Sequence, residues 1–157
     1  MPWMHAIRDL VMLVATLALW RQDAALRHAT GGLAVVTAVA AGTMTAVCGF
    51  LVHEWGHLLG ASSYRSDVRV PSTPFSLFLF HFDPETNRRA QFIAMSAGGF
   101  LASGLMVGFL LAVLPLDVLS GRVAMAFVGA GVAATLALEV PPFVRVLRGA
   151  PIPRGAA

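Results

Sequence analysis

The chain has 157 residues, of which 57% are hydrophobic and only 12% charged, and its mean hydropathy is +0.76. A soluble domain carries about 25% charged residues, so this composition leaves too little polar surface for a water-exposed globule and points to the membrane class. Every cation is an arginine, and the arginines stand in short clusters beside apolar runs for a net charge of only +3, which suits headgroups and topology and argues against a nucleic-acid face. Cys48 is the sole cysteine, so neither an intrachain disulfide nor a thiolate cluster is available.

No internal repeat or low-complexity linker divides the chain, and residues 1–157 read as one polytopic membrane domain. The first apolar stretch, 6–20, is short for a span of roughly 20 residues. It is expected either to cross with tilt or to lie in the interface as an amphipathic helix. Asp9 before the 10–20 run "LVMLVATLALW" and "RQDAALRHAT" after it argue against a cleaved signal peptide. The second stretch, 32–60, is rich in Gly, Ala, Thr and Val, small residues that allow close helix packing in lipid.

A loop over 61–90 follows, containing the aromatic run 74–82. This run is too short to span as a helix, and Phe75, Phe78, Phe80 and Phe82 read as a strand or re-entrant segment at the membrane face. Two further spans are expected over 91–116 and 121–147, with a tail over 148–157. Pro141 and Pro142 are expected to break or kink the last span. The fold class is therefore an all-α membrane protein: a three-helix core with H-E-x-x-H in its first helix, one N-terminal transmembrane or interfacial helix, and a short membrane-associated strand or re-entrant segment. Arg65, Arg69, Arg88 and Arg89 in the loop, with Arg145, Arg148 and Arg154 near the end, outnumber Arg21, Arg27 and Arg122 opposite. The positive-inside rule thus expects loop and tail in the cytoplasm, with a bacterial cytoplasmic membrane as the setting.

The second span carries His53-Glu54-Trp55-Gly56-His57, an H-E-x-x-H pattern. Residues four apart share a helix face, so His53 and His57 can direct ring nitrogens at one metal ion. Glu54, beside the metal, is placed to take a proton from water and hand it to a leaving amine. Imidazole and carboxylate ligands suit Zn²⁺, with a third protein ligand and one open position. Ionisable groups cost about 2.5–3.5 kcal/mol each at a membrane helix centre, so three within an apolar run call for a shared ligand; a hydrogen-bonded His/Glu cluster between helices is the plain alternative.

Depth along the helices selects the third ligand. At 1.5 Å per residue, His53 lies roughly 30 Å along the second span, and Glu139 roughly 26 Å along the fourth, which runs the same way. Asp117, in "LPLDVLSGR", falls on the opposite membrane face and reads as a turn residue starting the fourth helix. His81 and Asp83, in "FLFHFDP", read mainly as interfacial polar residues that could swing over the site.

These features resemble the site-2 protease family of intramembrane zinc metalloproteases, on "LVHEWGHLLG", on "AMSAGGFLASG" opening the next span, and on a return helix with a carboxylate beside prolines. The resemblance covers roughly 32–148 and implies Glu54 as general base, His53 and His57 as zinc ligands, and a membrane-protein substrate. The family's A-G-P motif is replaced by Ala97-Gly98-Gly99 with no asparagine after it, and its ligating aspartate by Glu139, or by Asp117 in "PLD". The family's fold would also set the 75–82 run beside the site as a strand able to pair with an unwound substrate, making Phe78, Phe80 and His81 the expected substrate contacts. A zinc-binding protein without turnover and a transport or structural membrane component are the competing readings.

Overall fold

A computed structural model describes residues 2–76 and 78–154. It contains the helices α1 (Pro2–Ala25), α2 (Gly32–Ser63), α3 (Arg89–Val113), α4 (Leu119–Leu138) and α5 (Val140–Leu147). Between α2 and α3, β1 (Val68–Arg69) pairs antiparallel with β2 (His81–Phe82), Val68 facing Phe82 and Arg69 facing His81. Four helical segments, Trp3–Ala25, Gly32–Ser63, Arg89–Val113 and Leu119–Leu147, are long and apolar enough to cross a membrane. Their outward faces fit that environment: Leu10, Leu17, Val36, Leu101, Leu105 and Leu136 are all more than half exposed.

Small and polar side chains fill the contacts between helices instead. Ala38, Ala41, Gly42 and Thr45 are buried on α2, Ser96 and Gly99 on α3, and Ser120, Gly121 and Ala124 on α4. The closest approach joins α2 to α3. A Cβ on Gly56 would lie 2.6 Å from the Gly98 carbonyl oxygen, and one on Gly98 would lie 3.0 Å from the Gly60 Cα. Only glycine lets these backbones meet, and lipid-facing helices gain their packing in this way.

The first helix has 24 residues and is no short 6–20 segment. The apolar run alone underestimates it because its flanking polar residues are partnered and stay helical: His5 Nε2 lies 3.3 Å from the Pro71 carbonyl, and Asp23 Oδ2 accepts from Ser120 Oγ at 2.7 Å. Trp20 Nε1 donates to Thr45 Oγ1 (2.8 Å), Thr16 Oγ1 meets Cys48 Sγ (3.2 Å) and Asp9 Oδ2 accepts from Trp55 Nε1 (2.7 Å), an antiparallel register along α2. Helix α3 stops at Val113, before the 116 expected, because Pro115 drives Leu114 to extended backbone at φ −75° and ψ 130°. The expected 121–147 span is two segments, α4 and α5, meeting at Glu139. Pro141 and Pro142 have no N–H to give the Ala137 and Leu138 carbonyls, so the ladder is interrupted there.

The strand expected over 74–82 is a correction. Only His81–Phe82 is strand, and the described residues from Pro74 to Phe80 are turns and bends, Leu77 lying outside the described residues. Side chains satisfy this backbone in place of a neighbouring strand: Arg8 Nη1 donates to the carbonyls of Pro74 (2.9 Å) and Ser76 (2.7 Å), and Glu54 accepts from the Leu79 N–H (3.3 Å). Burial follows no strand alternation, since Leu79 and Phe80 are both buried while Phe75 is 93% exposed. Leu79, Phe80 and Phe82 form a core with Phe92, Met95 and Val146. Asn87 closes the loop as a backbone mimic, accepting from Asp67 N–H (2.7 Å) and donating to the carbonyls of Asp67 (2.7 Å) and Asp83 (2.8 Å). Of the tail, residues 155–157 lie outside the described residues.

Candidate metal centre

One turn of α2 separates His53 from His57, and their rings meet edge to face with centroids 4.3 Å apart. Gly99 of α3 makes room for this, because a Cβ there would overlap the His57 ring. Glu139 reaches across from the end of α4, with Oε1 3.1 Å from His53 Nε2 and Oε2 3.2 Å from His57 Nε2. The two Nε2 atoms lie 2.9 Å apart. These three side chains are brought together so that one ligand atom from each lies within 4.8 Å of the others.

The other ring nitrogens determine what this cluster needs. His57 Nδ1 lies 3.0 Å from the Met95 carbonyl, and His53 Nδ1 lies 3.2 Å from the Gly99 carbonyl and 2.8 Å from Ser103 Oγ. A carbonyl only accepts, so each Nδ1 carries a proton, and in the neutral form of each ring Nε2 then turns a bare lone pair inward. A carboxylate faces the same point. Three acceptors converging without a donor repel one another unless a cation stands among them. The spacing fits a tetrahedral metal, since ligand atoms about 2.0–2.1 Å from zinc lie roughly 3.3 Å apart. Imidazoles that donate their second N–H to carbonyls are also the usual orienting arrangement of metal-bound histidines.

Glu54 is buried, at 7% exposed, and stands outside the three-ligand group. It lines a cleft of about 730 Å³ together with His57, Glu139, Phe78, Phe80 and Arg145. His81 sits exposed on β2 and is not part of this lining; the bend before β2 turns Phe80 and Phe82 inward and His81 out. Asp83 is engaged elsewhere, 3.6 Å from Arg69 and accepting from the Glu85 N–H at 2.9 Å. Asp117 lies in the α3–α4 turn, where its carbonyl accepts from Arg122 (3.0 Å). The 20 residues of α4 separate it from Glu139 by roughly 30 Å.

The space that Gly99 leaves for the His57 ring, Ser103 and the Met95 carbonyl are contributions that local spacing does not reveal. The one available signal is Ser103, the only polar side chain between Ser96 and the end of α3. No family model, curated protein or solved structure matches this chain.

Proposed function

We propose that the chain is a multi-pass intramembrane zinc metalloendopeptidase of the site-2 protease kind, hydrolysing peptide bonds in or beside substrate transmembrane segments. The observation that carries this reading is the convergence of three acceptors, from His53, His57 and Glu139, beside a buried carboxylate that opens onto a cleft. A zinc ion in that position supplies Lewis-acid chemistry, polarising the scissile carbonyl and making water acidic enough to be deprotonated near neutral pH. Glu54 is the proton carrier: its carboxylate takes a proton from the attacking water and delivers it to the leaving amine nitrogen. Leu79 N–H fixes one of its oxygens, which orients the other. Phe78 and Phe80 form an apolar wall for the substrate segment and limit water entry. The arginine bias of the 61–90 loop and the tail argues for a site near the cytoplasmic face.

The deciding experiment uses Glu54→Gln in purified protein reconstituted with a panel of transmembrane peptides. Zinc content is expected to match wild type while cleavage falls by about 10²–10⁴-fold, the usual contribution of a general base. Equal cleavage by both proteins overturns the enzyme reading. A second reading, a zinc-binding membrane protein without turnover, is favoured by one observation. Asn87, the only asparagine, is committed to the loop and leaves no asparagine amide for the oxyanion. Stoichiometric zinc with no cleavage by the wild-type chain selects that reading.

A further inference from the structure

The wall of the cleft does not stand by itself. Residues 71–76 and 78–80 cross the face of α2 without forming strand or helix, and their polar backbone is held from two sides. Glu54 takes the Leu79 N–H at 3.3 Å. On the other side, Arg8 Nη1 binds the Pro74 and Ser76 carbonyls at 2.9 and 2.7 Å, and His5 Nε2 lies 3.3 Å from the Pro71 carbonyl. Arg8 is fixed in turn by Asp9, which accepts from its Nε at 2.6 Å and from Trp55 Nε1 at 2.7 Å. Trp55 lies within the H-E-W-G-H segment itself.

The depth of this network gives it a purpose. Asp9 is level with Trp55, eight residues before the end of α2 at Ser63, roughly 12 Å inward along the helix. Irregular backbone within a membrane persists only where it is buried in protein or lines a water-filled cavity. An arginine with two carbonyl acceptors and a carboxylate partner satisfies such backbone with charge-assisted bonds. The neutral alternative, solvation by water, would flood the approach to Glu54.

From this geometry we infer that Arg8, oriented by Asp9, is a positioning residue for the substrate wall, so that α1 forms part of the functional apparatus. The inference rests on the protease reading for its kinetic consequences but not for its structural ones. Arg8 holds the first half of the wall segment, and the second half presents Phe78 and Phe80 to the cleft. Releasing the Arg8 contacts loosens the substrate contacts while leaving the ligands on α2 and α4 untouched.

The test compares wild type, Arg8→Met and Arg8→Lys, as full chains in detergent with bound zinc. Hydrogen exchange of the Phe75 and Ser76 amides, which bond to Thr73 Oγ1 and the Thr73 carbonyl, is expected to quicken at least tenfold in Arg8→Met, as the turn between the carbonyls that Arg8 holds is released. Exchange in α2, α3 and α4 and zinc content should remain at wild-type levels. With a cleavable peptide, KM should rise about tenfold and kcat change by less than about threefold, the pattern of lost substrate binding. Arg8→Lys retains a cation able to reach both carbonyls and should restore most of both effects. Unchanged exchange of the Phe75 and Ser76 amides, or acceleration spread through α2–α4, would overturn the inference, and so would an equal fall in kcat with constant KM. Absence of cleavage by wild type would overturn only the protease reading, since the exchange comparison still decides whether Arg8 holds the wall.

Discussion

Each imidazole of the cluster divides its two nitrogens between structure and ligand binding. Nδ1 is spent on a carbonyl of α3, and Nε2 is left bare toward Glu139. Removing the carboxylate therefore removes one of three converging ligand groups, whereas Asp117 at the far end of α4 contributes none. Glu139→Ala is expected to lose stoichiometric zinc and Asp117→Ala to keep it, measured by metal analysis of the purified proteins. Ser103→Ala deletes the 2.8 Å partner of His53 Nδ1, and zinc affinity should weaken by about tenfold, the low end for an orienting partner. His53, Glu54 and His57 were legible in the sequence because their relation is local, set by helix periodicity alone. Glu139 was legible through the constant rise of parallel helices. Ser103 and Gly99 were not, because their roles depend on which face of α3 meets α2, and no spacing within α3 encodes that.

At the level of helices, small residues fix that meeting. Gly98 faces Gly56 and Gly60 with no space for a side chain, whereas Gly104, on the same helix, has nothing within 4 Å of its Cβ position. Gly98→Val is thus expected to cost about 1–3 kcal/mol, the usual scale for overpacking, and to lower the thermal midpoint in detergent. Gly104→Val should leave it near wild type. The bend at Glu139 has a comparable local cause, two consecutive prolines without N–H donors, and "EVPP" announced it in the sequence. Alternating aromatics over 75–82 imitate strand periodicity, yet only His81–Phe82 is strand. The partners of the wall segment are the side chains of Arg8 and Glu54, supplied by two distant helices that a local pattern cannot register.

Across the whole molecule, the apolar outer faces and the small-residue contacts form one architecture, legible from composition before any element is assigned. The centre links α2, α3 and the α4–α5 joint, so a bound ion ties together elements that pack chiefly through weak apolar contacts. A ligand that binds only the folded state at 100 times its Kd adds about 2.7 kcal/mol of stability. Zinc is therefore expected to raise the thermal midpoint of the wild-type chain in a concentration-dependent manner and to leave that of Glu139→Ala unmoved. Equal shifts in both proteins would place the stabilising zinc elsewhere.

The distance in sequence between His53 and Glu139, 86 residues, has a consequence for biosynthesis. At roughly 5–20 residues per second, about 4–17 s of translation separate the two. During that interval α2 resides in the translocon or bilayer with its histidines uncompensated, and no centre exists to hold an ion. A metal centre built on His53, His57 and Glu139 is consequently complete only once the helix ending at Glu139 has been made and has docked.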